Sequence, residues 1–456
     1  MRQRASCIGA LAALGAAAVV ISTVPAPPPA LSANAGASSP TDSATVGCAD
    51  IPAVRASVGP RGRQADGGSG APSISGNGRF MAFHSVATNL VRGDTNERPD
   101  IFVYDRETRE TSRVSVATNG TQGDHISASL SISKTGRFVV FGSLATNLVR
   151  RDTNGMPDVF LHDRDTGRTV IVSVSSTGQQ GRNLGSGQPA VSARGRFVAF
   201  VGYPSNLVPG DTNGKPDIFV RDRRAGTTTR VSVSSSGVQA NRQSGTYSGP
   251  DISADGRYVV FESDARTLVK GDTNGWQDVF LHDRWTHRTT RVSLGAGRAQ
   301  GDNASYWPSI SGDGRYVAFS SRASNLVDDD ENDAWDVFVR DRKTGVTTLE
   351  SRSTAGALVN DGGSSPMISG NGRFVTWGSY ADNLVPGDTN GVADVFVRDR
   401  VTGSTWRVPC GPGPDGESIL PSINDRGTLV AFESTASNLV DSDTNGVSDI
   451  FLARTR

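Results

Sequence analysis

Apolar and polar residues alternate with a period of two through most of this chain. The alternation comes in short runs such as Arg196–Phe200 (RFVAF), Arg257–Phe261 (RYVVF) and Asp394–Arg400 (DVFVRDR). These runs are rich in Val, Ile, Phe, Tyr and Thr, and Gly, Asp and Asn separate them. That pattern predicts β-strands divided by tight turns. Helical periodicity is absent after residue 35, so the predicted fold class is all-β.

The alternation is itself repeated. Seven units open with a short segment of the PSIS type, starting at Pro72, Leu130, Pro189, Pro250, Pro308, Pro366 and Pro421. Successive starts lie 55 to 61 residues apart. Each opening is followed by a turn, a run like RFVAF, an Asp-rich loop, a DVFVRDR-type run, a second turn and a segment like TTRVSV. Four strand candidates per unit fit either propeller blades or a β-solenoid, and four antiparallel strands on tight turns favour blades. The termini discriminate further. The last unit ends at DIFLARTR and lacks its fourth strand, while residues 54–69 match the fourth-strand segment 229–244. Arg55 aligns with Arg230, Ser57 with Ser232, Gly62 with Gly237 and Gln64 with Gln239. An N-terminal strand that completes the last blade closes a ring and removes an exposed sheet edge. The expectation is one seven-bladed propeller over residues 53–456, with 53–71 as closing strand and connection.

The units resemble the WD40-like repeat of TolB-type propellers. The segment from PSISGDGRYVAFSS to DVFVRDRKTGVTTLES carries the opening Pro–Ser, the D-G turn and the hairpin of that repeat. The resemblance spans essentially all of residues 53–456 and implies the fold. The chain departs from those proteins in having no room for a separate N-terminal α/β domain and in its longer repeats, so a TolB-like role in a cell-envelope complex is not implied.

Part of the extra length lies in a loop of constant pattern, Asp-x-Asn-x-x-x-Asp. The seven sets are Asp94, Asn96 and Asp100; Asp152, Asn154 and Asp158; Asp211, Asn213 and Asp217; Asp272, Asn274 and Asp278; Asp330, Asn332 and Asp336; Asp388, Asn390 and Asp394; and Asp443, Asn445 and Asp449. Ca²⁺ takes six to eight hard oxygens, which short loops supply from alternate positions. The loop resembles the calcium turns of integrin-type propellers, shortened by two residues. Calcium sites with few protein ligands fall in the weak class, with Kd about 10⁻⁴–10⁻³ M. The alternative is an Asx-turn, in which Asn caps the backbone and Gly takes the left-handed step without any metal. If one loop binds more tightly, the reading points to the fifth, which also carries Asp328, Asp329 and Asp333.

Tyr247, Trp276, Tyr306, Trp307 and Trp335 fall in loops of blades four and five. They form either a platform for a sugar or peptide or a set of rings packed between blades. No nucleophile elbow, His-x-x-x-His or Cys-x-x-Cys pair occurs, so binding is favoured over catalysis, with an extracellular hydrolase or lyase on a polymer as the alternative. His162 and His282 share one strand position where other repeats place Arg or Tyr, and read as surface substitutions.

The ends complete the picture. Arg2 and Arg4, the apolar run from Cys7 to Ile21 and the small residues Ala33–Ala35 follow the plan of a secretory signal peptide, with 36–52 as a linker. The expected location is outside the cell or in the cell envelope of a bacterium. Without residues 1–35 the chain holds 44 basic and 46 acidic groups, since only Arg2 and Arg4 are lost. A net charge of −2 argues against nucleic acid and against a polybasic membrane anchor. The expected partners are a protein, peptide or glycan, with no stable membrane insertion once the signal is cleaved. Cys48 and Cys410 are expected to bridge the N-terminus to blade six, or else to be free thiols.

Overall fold

In a computed structural model, which describes residues 53–182, 184–410 and 413–455, the alternating runs form seven four-stranded antiparallel sheets. From the axis outward, blade one uses Ser69–Ile74, Phe80–Ser85, Asp100–Asp105 and Glu110–Arg113. Blade seven takes three strands from the C-terminal end and its outermost from the N-terminal end, Val54–Arg55. Val54 pairs with Leu452 and Arg55 with Phe451, so the ring closes as the repeat alignment predicts. The matched residues repeat their contacts as well: Ser57 donates to Asp449, and the Val58–Gln64 bridge copies Val233–Gln239.

Period-two alternation places one face of each blade against each neighbour, and the core is divided accordingly. Seven apolar clusters each span one seam, such as Phe83, Phe102 and Met81 of blade one with Leu429, Ala431 and Ile450 of blade seven. Every blade contributes a stacked ring pair from its second and third strands, with Phe83 and Phe102 6.0 Å apart and Trp377 and Phe396 6.1 Å apart. All these rings are fully buried, and truncating one to Ala typically costs about 3–5 kcal/mol.

The innermost strands line the axis, and six of the seven carry a register shift near their midpoint or a residue of positive φ. At this bulge Ala71, Ser129, Gln188, Trp307, Ser365 and Leu420 hold φ values of 48–51°, and Gly249 takes the position in blade four. The bulge turns these residues toward the axis, where they line a well of about 310 Å³. At the far end the turns after the innermost strands are tied blade to blade: Ala193 N donates to Ala254 O, Ala254 N to Gly312 O and Asp425 N to Gly76 O. The Asp425 carboxylate also pairs with Lys134 at 2.5 Å there. The Asp loops and the long blade-to-blade connections surround the opposite, open end.

Candidate functional site

Every Asp loop is an Asx-turn. The Asn side-chain oxygen accepts the amide two residues on, as in Asn96 with Arg98 at 3.1 Å and Asn213 with Lys215 at 3.0 Å. The residue after Asn is left-handed in all seven, at φ 53° in Glu97 and Asp333 and at 62–78° in the five glycines. The Asn amide reaches across to the connection that follows, as from Asn96 to Gly123 O at 2.9 Å. In six loops the same amide also donates to the final Asp, as Asn96 does to Asp100 at 2.9 Å, and further partners of the two aspartates lie outside the turn.

The final Asp of the loop is buried at the start of the third strand, beside the fourth. In blades one to five its Oδ1 accepts a serine hydroxyl fifteen residues on, as in Ser232 to Asp217 at 2.5 Å, and in blade seven Ser57 of the N-terminal strand does the same, whereas blade six has Pro409 at that position. In five blades an arginine of that strand lies between the two carboxylates. Arg113 Nη1 is 2.9 Å from Asp94 and 3.2 Å from Asp100, and Arg230 Nη1 is 2.9 Å from Asp211 and 3.3 Å from Asp217. Arg291, Arg407 and Arg55 repeat the arrangement with Asp272 and Asp278, Asp388 and Asp394, and Asp443 and Asp449. The positive charge expected from calcium is supplied here from within the chain. Among the described residues, no group of three or more His, Cys, Asp or Glu side chains is arranged to hold a metal.

Blades two and five lack the arginine, with Ile171 and Leu349 in its place. Blade two satisfies its carboxylates with neutral amides. Asn154 donates to Asp158 at 2.9 Å and Gln180 to Asp152 at 3.2 Å, and burial pushes Asp158 up to about 7. In blade five Asn332 donates to Val359 O at 3.1 Å, and Oδ2 of the fully buried Asp336 has no hydrogen-bond partner. Burial and then the nearby Asp336 raise Asp330 to about 6. Two of the extra acids of this loop are largely exposed and face arginines, Asp329 at 2.7 Å from Arg352 and Asp333 at 3.7 Å from Arg322. Within the sequence the arginine stands 13 residues after the final Asp in four units and the serine 15 residues after it in five. They read as polar positions of a strand because nothing local ties them to the loop.

Four of the five candidate aromatics come together at the open end. Tyr306 lies 5.1 Å from Tyr247, 6.0 Å from Trp307 and 5.5 Å from Trp335, and Trp307 is 6.2 Å from Trp335. Trp276 makes no ring contact with them and is 47% exposed. The cluster is not part of the common blade design. Tyr306, Trp307 and Trp335 stand where blade one has Gly70, Ala71 and Pro99, and blade two has Ala128, Ser129 and Pro157. Tyr247 and Trp307 line the mouth of the well together with Gln188, Ser248 and Ser365. The loop bearing Tyr247 is held by Glu262, which is fully buried and accepts Tyr247 N at 2.8 Å, Ser248 N at 3.3 Å and the Ser248 hydroxyl at 2.6 Å. With three donors on its oxygens this carboxylate positions the loop.

The two strand histidines are not surface substitutions. His162 and His282 are buried and sit 2.9 and 2.8 Å from Thr169 and Thr289 hydroxyls, because the outer strand covers this position. In other blades an arginine makes the corresponding contact, as from Arg221 to Thr228 at 3.0 Å. Burial lowers both histidines from 6.5 to about 4, with Arg164 acting further on the first and His287 and Arg284 on the second. Folding is therefore favoured fully above pH 6.5, and this contribution is lost as pH falls through 4. It amounts to about 3 kcal/mol per histidine, from ~1.4 kcal/mol per pH unit. The double variant His162→Arg/His282→Arg is expected to flatten the fall of the unfolding midpoint between pH 6.5 and 4. An unchanged slope would show that other groups carry it.

Cys410 is disulfide-bonded. Its expected partner Cys48, the signal segment 1–35 and the linker 36–52 lie outside the described residues.

No protein-family model matches the sequence, and no curated protein matches it. Solved structures do. An oligogalacturonate lyase in complex with manganese aligns with 89% of this chain and 96% of its own, at 13% identity and a TM-score of 0.53. An oligogalacturonate lyase from Vibrio parahaemolyticus aligns with 89% and 92%, at 12% identity and a TM-score of 0.51. The likeness is one of fold. TolB from Acinetobacter baumannii aligns with 78% of this chain at 17% identity and a TM-score of 0.41, and the chain covers 66% of that protein. The propeller expected from the TolB-type resemblance is the architecture the chain adopts.

Proposed function

We propose that this protein is a secreted, calcium-stabilised propeller that binds a glycan at the open mouth of its axial well. The reading rests on one observation: blade five replaces small residues by Tyr306, Trp307 and Trp335 at three positions, and their rings meet beside the well. A packing role would be needed at every seam, and the other seams manage without these rings. Stacked rings give a sugar an apolar face, and Gln188, Ser248 and Ser365 supply hydrogen bonds to its hydroxyls. A peptide or protein partner, and an export step by the segment 1–35, belong to the same proposal's wider range. Catalysis on a polymer is the alternative, and it is less favoured because outside blade five the loop carboxylates are engaged by arginines or amides, and Glu262 holds its own loop.

Calcium is assigned to blade five. There Leu349 replaces the arginine and Asp336 Oδ2 is left unpartnered, so Asp330 and Asp336, with Asn332 beside them, would hold the ion and water would complete its shell. Thermal unfolding of the full mature chain checks this. The midpoint should rise in calcium relative to EDTA, by the equivalent of ~1.4 kcal/mol at a tenfold excess over Kd and ~2.7 kcal/mol at a hundredfold excess. Magnesium should do less, because it demands a tighter octahedral shell. An equal midpoint in EDTA and calcium removes the metal from the proposal and leaves the glycan reading standing.

A further inference from the structure

The closed face of the ring is built from a repeated stack. In blades one to five the aromatic residue that opens the second strand lies between two guanidinium groups, one from the residue before it and one from the next blade, and in blade six Phe374 keeps the first of them, Arg373. Arg79 and Arg164 sit 4.9 and 4.2 Å from the Phe80 ring centre. The pairing recurs at Phe138, Phe197, Tyr258 and Tyr316. An aspartate ending the third strand clamps the first arginine, as Asp222 does Arg196 at 2.8 Å. A glycine carbonyl anchors the second, as Gly195 O does Arg223 at 2.6 Å.

Blade seven changes every part of this device. Thr428 stands for the clamped arginine, Leu429 for the ring, Arg454 for the clamping aspartate and Thr455 for the anchored arginine. Arg106 of blade one is anchored like its counterparts, 3.2 Å from Gly78 O, yet Leu429 lies where its aromatic ring would be. Arg454 and Arg426 make no ion pair among the described residues. The seam holds a cavity of about 660 Å³ lined by Arg106, Arg426, Arg454, Thr428 and Leu429. The one carboxylate in the lining, Asp425, is already paired with Lys134. Six seams are filled at this level by protein rings, and the seventh is left open and positive.

We propose that the cavity between blades seven and one binds a carboxylate carried on a flat ring. Such a ligand supplies the two parts this seam lacks. Its ring packs on Leu429 beside the Arg106 guanidinium, and its carboxylate meets Arg454 and Arg426. An aromatic acid meets that description, whereas a bare anion supplies only half of it. The site is on the face opposite the aromatic mouth and does not depend on the glycan reading.

Isothermal titration of the full chain with benzoate, methyl benzoate, acetate and inorganic phosphate tests the assignment. Benzoate is expected to bind about tenfold more tightly than acetate or methyl benzoate, because each of those lacks one of the two contacts. The variant Thr428→Arg/Leu429→Phe/Arg454→Asp rebuilds the stack of the other blades and should abolish benzoate binding. The exposed change Arg454→Ala should weaken it severalfold with the unfolding midpoint unchanged, and Trp307→Ala should leave it untouched. Phosphate binding as tightly as benzoate would overturn the flat-ring assignment. No benzoate binding to the wild type, or binding that survives both seam variants, would overturn the site itself.

Discussion

Replacing Arg230 by leucine is expected to destabilise the propeller by about 3–5 kcal/mol, the cost of leaving buried carboxylates without their cation. Arg230 lies within 2.9 Å of Asp211 and 3.3 Å of Asp217, and Asp217 is fully buried. The variant puts blade three in the state that blade five has by nature, so millimolar calcium should restore part of the lost stability. The reverse change is the sharper test. Leu349→Arg gives blade five the guanidinium of its sisters, and it should raise the unfolding midpoint in EDTA and remove the response to calcium. If Leu349→Arg still responds to calcium as the wild type does, the ion is not held between Asp330 and Asp336. Urea and thermal unfolding of the three proteins, each with EDTA and with calcium, give the whole comparison.

The second large effect concerns the aromatic mouth. Trp307→Ala and Trp335→Ala are each expected to weaken glycan binding at least tenfold, about 1.4 kcal/mol, which is in the range of one stacked ring. Their stability should change little, because blades one and two carry Ala71 and Ser129 at the Trp307 position and fold with the same register. Trp276→Ala is the control, since that ring stands outside the cluster. Glu262→Ala should act differently: it frees the Tyr247 loop and leaves two backbone amides without their acceptor, so affinity and stability fall together. A Trp307→Ala protein that keeps its affinity and loses stability would make the rings a packing device.

The difference between what could be read from the chain and what could not follows from distance along it. Strands, turns and blade count were legible because period-two alternation and the 55–61-residue repeat are local and recur seven times. Even the closing strand was legible, since Arg55, Ser57 and Gln64 carry the same residues as an internal repeat and make the same contacts. The Asx-turns were legible for the same reason, as one of two readings of the Asp loops. The arginine between the aspartates was not, because it arrives thirteen residues later on another strand, where alternation already explains a polar residue. His162 and His282 misled in the same way: a polar residue in a strand was taken to face water, but the fourth strand covers that position. The open seam was the least legible. Thr428, Leu429 and Arg454 are unremarkable singly, and their meaning comes from the ring that brings blade one against blade seven.

Those readings meet at the open end, where the Asp loops surround the well and the aromatic cluster stands over blades four and five. The most direct measurement is a broad oligosaccharide array probed with the wild-type protein and with a folded Trp307→Ala/Trp335→Ala variant. Retention of a defined set of glycans by the wild type, lost in the variant, is the predicted result. An array on which the wild type retains nothing, or on which both proteins bind alike, would contradict the assignment of this mouth as a glycan site.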